Sequence, residues 1–203
     1  MPRQSVLKQL AQAHDEQQLV GLKRKAIDRN PKYGFVLDFS KKLVFLHYVY
    51  DFHLDGLRIL RTKDISGVRV GKTNMFQKQL LQDEGLFKTV EFGKRIDLTN
   101  WETALSQLMA TYPMLILEYE SLNHKETDFF IGAPLRCTSR SLSIRYFDGA
   151  GRWLDQPSTV HFSKLTCCQV NNNYLNTYQR YFERQAAQST RRPKHVAKKA
   201  RSL

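Results

Sequence analysis

Short apolar runs of strand length, cut off by polar turns, fill most of the chain, and they come in two series. The first series is 19–22, 33–39, 43–50, 57–60 and 65–70. The second is 114–119, 129–137, 141–147, 158–162 and 166–170. Aromatic and β-branched residues dominate them, as in 43–50, which suits pleated strands. Turn signals separate them: Asn30-Pro31, Ser40-Lys41-Lys42, Asp55-Gly56 and Asp148-Gly149-Ala150-Gly151. Helical spacing occurs only at the borders of the two series. Val6, Leu7, Leu10 and Ala11 predict a helix over 5–17, and Met75, Phe76 and Leu80 share one side of a helix over 75–82. Thr99 and Glu102 stand at capping-box spacing ahead of Trp101, Leu105, Leu108 and Met109, and Pro113 ends that helix. Leu175, Tyr178, Phe182 and Ala186 predict a closing helix to about residue 188.

The two series restart in the same order, so the chain reads as a diverged internal repeat. Leu54-Asp55 matches Leu154-Asp155, Ile65 matches Leu165, Val70 matches Val170 and Gln79 matches Gln179, each at an offset of 100. Gly34 matches Gly132 when a gap is allowed. The expected fold class is mainly β with flanking helices (α+β). Two tandem small five-stranded bent sheets or barrels are expected, each preceded and followed by a helix, because closure removes exposed strand edges. The expected domains are residues 1–82, a connector 83–98, residues 99–188 and a basic, disordered tail 189–203.

A helix followed by five short bent strands resembles the Sm-like barrel. In that family an apolar residue, Arg and Gly lead from the fourth strand through a tight turn towards an apolar residue of the fifth. Leu60-Arg61-Thr62-Lys63-Asp64-Ile65 is similar to this run: Arg61 and Ile65 fit, and Thr62 stands where the family has Gly. Ser40-Lys41-Lys42 occupies the turn where the family carries its Asp and Asn, and Val160 to Leu165 keeps only the apolar ends. The resemblance implies RNA binding.

Charge gives an independent reason to expect a polyanion. The net charge is +13, and it is unevenly placed. Residues 1–100 hold 18 Lys or Arg against 11 Asp or Glu, residues 101–188 hold 8 against 8, and residues 189–203 hold six basic residues and no acid. A basic half and a basic tail are the footprint of a phosphate-rich partner. The candidate contacts are Lys23, Arg24 and Lys25 at the end of the first strand, Lys41 and Lys42 in one turn, and Arg61 and Lys63 in another. Arg191, Arg192, Lys194, Lys198, Lys199 and Arg201 follow in the tail. Tyr33, Tyr48 and Phe52 are candidate stacking faces for bases.

Other constellations are weaker. Asp51, His53 and Asp55 alternate as metal ligands on a strand would, but Asp55-Gly56 reads as a turn. Glu118 and Glu120 share a strand face and read as a solvated edge. His47 and His161 lack a partnering nucleophile. Three cysteines, Cys137, Cys167 and Cys168, form neither a disulfide framework nor a zinc pattern, and read as reduced, buried thiols. No cofactor, no metal and no enzymatic activity are expected. Without an apolar run of about 20 residues or a signal-like start, the chain is expected to be soluble and cytoplasmic, away from membranes. The expected function is nucleic-acid binding, RNA before DNA. The alternative is a protein-interaction module, with an acidic partner or a protein docked on the neutral second unit.

Overall fold

The computed structural model describes residues 3–191, and all ten expected strands are present. Helix α1 (Arg3–Asp15) leads into β1 (Leu19–Lys23), β2 (Lys32–Phe39), β3 (Leu43–Tyr50), β4 (His53–Arg61) and β5 (Gly67–Arg69), and α2 (Lys72–Asp83) closes the first half. The second half runs α3 (Trp101–Thr111), β6 (Leu115–Tyr119), β7 (Asp128–Cys137), β8 (Ser141–Tyr146), β9 (Ser158–His161), β10 (Cys167–Val170) and α4 (Asn173–Arg191).

The strands form one ten-stranded antiparallel sheet, in the order β5-β1-β2-β3-β4-β10-β6-β7-β8-β9. The mainly β class with flanking helices is as the sequence reading expected, and the outer edge of β4 pairs with β10, Leu60 opposite Cys167 and Leu57 opposite Val170, so the two tandem halves share one open sheet.

Within it, the two halves repeat in register. Gly34 faces Tyr48 as Gly132 faces Tyr146. A bulge follows Val36 in β2 and Pro134 in β7, at the same offset. Leu43 faces Arg61 as Ser141 faces His161, and Leu22 faces Val68 as Leu117 faces Cys168. The paired glycines have a steric reason. A Cβ at Gly34 would meet the His47 carbonyl oxygen at 2.6 Å, and at Gly132 the Arg145 oxygen at 1.9 Å.

Alternation along each strand divides the core. Leu43 and Phe45 of β3 point into one cluster with Phe35, Ile59, Leu117, Cys168 and Leu142, covered by Ala104, Leu105 and Leu108 of α3. Val44 and Leu46 point the other way, under Val6, Leu10 and Ala13 of α1. On the second half, Ile116, Ile131 and Phe147 pack under Leu175 of α4, with Tyr178 and Phe182 beside them.

Two segments add detail to this reading. Residues 83–98, between the halves, contribute to the core: Val90 and Leu98 are buried, and Phe87 and Phe92 pack on Phe35 with ring centroids 5.5 and 5.6 Å away. The side of α2 that carries Met75 and Phe76 faces outward, and Asn74 and Leu81 are its buried residues.

Candidate nucleic-acid interface

Ser40 organises the basic turns of the first half. Its backbone N–H donates to the Leu43 carbonyl at 2.8 Å, closing the β2–β3 turn. Its hydroxyl oxygen accepts from the Lys42 and Leu43 N–H groups at 3.0 Å each, and the hydroxyl donates to the Leu98 carbonyl at 2.8 Å. The turn is thereby tied to the segment that enters α3. There Asn100 caps the helix, its side-chain oxygen accepting from Thr103 N–H at 3.0 Å.

Thr62 ties the third piece. Its hydroxyl donates to the Ser40 carbonyl at 3.0 Å and its N–H to the Lys42 carbonyl at 2.9 Å. Thr62 is buried, and a glycine there would make only the backbone bond. A short 3₁₀ turn, Thr62–Asp64, follows, with Arg61 Nε donating to Asp64 Oδ2 at 2.5 Å.

These ties gather Lys42, Arg61 and Lys63 around one cavity of about 200 Å³, with Leu43, Asn100 and Trp101 completing its wall. Among the described residues no acidic side chain lines it. Lys42 and Lys63 are exposed, and so is Lys41 beside them. Leu43 and Trp101 are buried at 2% and 8% exposure, so what the cavity offers a ligand is chiefly the cations of its rim.

Lys23 and Lys25 are exposed at the end of β1, next to the same link. Ser66 N–H donates to the Lys23 carbonyl at 2.7 Å, and Lys25 N–H donates to Ser66 Oγ at 3.2 Å. Arg24 is a correction. It is 1% exposed and held by carboxylates: Nε donates to Asp28 at 2.7 Å, and its two terminal nitrogens donate to the two Glu120 oxygens at 2.8 and 2.6 Å. A guanidinium so saturated is not a phosphate contact. Burial works most strongly against the Arg24 charge, but the Glu120 bond and the charges of Glu120 and Asp28 together outweigh it and the pKa rises. Burial likewise opposes the Glu120 charge, and Arg24 with Lys32 brings its pKa below the ordinary value.

This corrects Glu118 and Glu120 as well, since neither is a solvated edge. Glu118 accepts from Gln169 at 2.6 Å. Glu118, Glu120 and Cys167 do converge within 4.8 Å, but Arg24 already occupies Glu120, and burial keeps the Cys167 thiol protonated. A cation would meet another cation there, so the cluster is not a fitting metal site. Asp55 is used structurally, accepting from Asn173 N–H at the start of α4.

The stacking candidates lie elsewhere. Tyr48 is buried beneath the Arg58 guanidinium, 3.3 Å from its ring centroid, and Tyr33 packs on the main core. Phe52 is exposed in the β3–β4 turn at φ 63°. Trp101 is a buried core residue of α3, as its helical spacing predicted, and it also lines the basic cavity, which sequence reasoning did not foresee. The one legible signal for the cavity was its place directly after the capping residue. Arg192, Lys194, Lys198, Lys199 and Arg201 lie outside the described residues, and of Arg191 only the helical backbone is described. Cys167 and Cys168 are buried and Cys137 is half-buried. Among the described residues no helix is long and apolar enough to cross a membrane. No family model, no curated protein and no solved structure matches the chain.

Proposed function

We propose that the chain binds single-stranded nucleic acid, RNA before DNA, through its first half and without chemistry of its own. The convergence of Lys42, Arg61 and Lys63 on one cavity carries this reading. Two exposed lysines at its rim suit the phosphates of an unpaired strand. Lys23, Lys25 and Lys41 extend the basic surface, and the tail 189–203 adds sequence-blind phosphate contacts. The cytoplasm is the compartment that goes with this reading.

The Sm-like resemblance belongs to the same proposal. It is supported by the order of a helix then five strands in each half, and by Arg61 beside the β2–β3 turn. On this reading residues 1–82 and 99–188 are two small curled units. The link 62–66 joins β4 to β5 although three strands lie between them. In a flat sheet that separation is about 19 Å. A link of five residues, three of them rising about 2 Å each in a 3₁₀ turn, bridges it only if the strands curl.

The test is a titration of the full chain with single-stranded RNA and DNA at rising salt. Affinity should fall linearly on a log–log plot, and Lys42→Ala and Lys63→Ala should each lower the slope by about one. Absence of binding at low salt overturns the proposal. A protein partner for the second half is the second reading, favoured by the exposed Phe129 and Leu135 of β7. A partner retained after nuclease treatment, by a chain with no RNA affinity, would favour it.

A further inference from the structure

A second cavity, of about 400 Å³, opens beside the Arg24–Glu120 bridge that ties the two halves together. The first half brings Asp28, Arg29 and Lys32 to its wall, and the second half brings Glu118, Glu120 and Leu122. Its volume lies within the range of small-molecule clefts, roughly 300–1,000 Å³.

Most of the charges in this wall are matched. Arg24 holds both Asp28 and Glu120, and the Lys32 ammonium lies 3.6 Å from each of them. Glu118 and Arg29 are left over. Arg29 is exposed and makes no ion pair among the described residues. Glu118 is half-buried and held from behind by two amides that are 7% and 4% exposed, Gln169 and Asn172. Gln169 Nε2 donates to Glu118 Oε2 at 2.6 Å, and Asn172 Nδ2 donates to Gln169 Oε1 at 2.9 Å. The Leu175 N–H, in the first turn of α4, donates to Asn172 Oδ1 at 2.8 Å and anchors the chain. A carboxylate supported by such a buried network is oriented before any ligand arrives. Its other oxygen, Oε1, accepts no hydrogen bond among the described residues.

We propose that this cavity binds a free amino acid with an aliphatic side chain, its ammonium on Glu118 Oε1, its carboxylate on Arg29 and its side chain against Leu122, which is 42% exposed. A ligand with one charge of each sign completes the unmatched pair. The planar guanidinium of Arg29 takes a carboxylate through two parallel bonds. The ammonium uses the one free oxygen of Glu118 and leaves Glu120 to Arg24, which a metal ion bound by both carboxylates could not do. Both halves supply the wall, so an occupied cavity also favours the folded, joined chain. The inference does not rest on nucleic-acid binding.

Equilibrium dialysis of the full, nuclease-treated chain against radiolabelled leucine, isoleucine and valine in turn tests it. Binding should saturate at one amino acid per chain. Isopentylamine is leucine without its carboxylate, and 4-methylpentanoate is leucine without its ammonium. Each should compete about tenfold or more weakly than leucine, because each forfeits one charged contact. Arg29→Ala should weaken leucine by a similar factor and leave isopentylamine unchanged. Glu118→Gln should weaken leucine and leave 4-methylpentanoate unchanged. Circular dichroism verifies that both variants fold. No saturable binding of any of the three amino acids at millimolar concentration overturns the proposal. So does leucine binding that both folded variants retain, or an amine or acid that competes as well as leucine itself.

Discussion

Arg24 lies between two exposed lysines, and the strand decides which of the three reaches solvent. Side chains alternate along β1, so Arg24 continues the face of Val20 and Leu22, which is buried under α1. That much was legible in the sequence. Its partner Glu120, 96 residues away, was not, because it depends on which strands meet. A buried pair that loses one member leaves an uncompensated charge. Asp28 still holds Arg24 when Glu120 loses its charge, so Glu120→Gln should cost about 1–3 kcal/mol, read as a lower urea midpoint. Glu120 has a lowered folded pKa, so its stabilisation is present above the ordinary carboxylate value near 4.5 and is lost as pH falls through the folded value. His47 adds a second pH response. Its Nδ1 accepts from Glu91 N–H at 3.3 Å, and burial first, then Lys94, pulls its pKa below 6.5 against the pull of Glu91. Protonation removes that acceptor. The unfolded chain binds the proton more readily, so stability should decline as pH drops below about 6.5. His47→Asn should flatten this decline in denaturation midpoints taken between pH 7 and pH 5, and an unchanged slope would remove His47 as its source.

At the scale of elements, local pattern located every strand, because each run is bounded by a turn with its own chemistry. Pairing across the halves had no local signal: nothing in Leu57–Leu60 or Cys167–Val170 names the other strand. The cavity was half legible for the same reason. Lys42, Arg61 and Lys63 stand in turns that any hairpin reading brings out, whereas Trp101 reaches them only because Ser40 binds the Leu98 carbonyl. The geometry of the β4–β5 link rests on Thr62, buried with its hydroxyl on the Ser40 carbonyl. Thr62→Val keeps the shape and removes that donor. It should cost about 1–3 kcal/mol, since a buried carbonyl loses a partner. If the cavity is the binding site, RNA affinity should fall as well, by more than the exposed Lys88→Ala changes it. Unchanged affinity in a destabilised Thr62→Val chain would detach the link from binding.

For the molecule as a whole, the question is whether two repeated halves act as one cooperative unit. Separate small units would each be near the lower size limit for stability and would melt on their own terms. The structure joins them three ways. A single sheet runs through both halves, the largest core cluster takes residues from both, and Arg24 of the first half holds Glu120 of the second. Cutting the chain between the halves would bare β4 and β10 together, along with Ile59 and Cys168, which are 0% and 1% exposed. Unfolding should therefore be two-state. The two tryptophans provide the test, because Trp101 sits in the shared core and Trp153 packs with Phe147 and Phe182 in the second half alone. In urea, fluorescence from a Trp101→Phe chain and from a Trp153→Phe chain should each share one midpoint with the circular dichroism of the same chain. If the Trp153 signal moves at a different urea concentration from the backbone signal, the halves unfold independently, and the shared sheet contributes less than its burial implies.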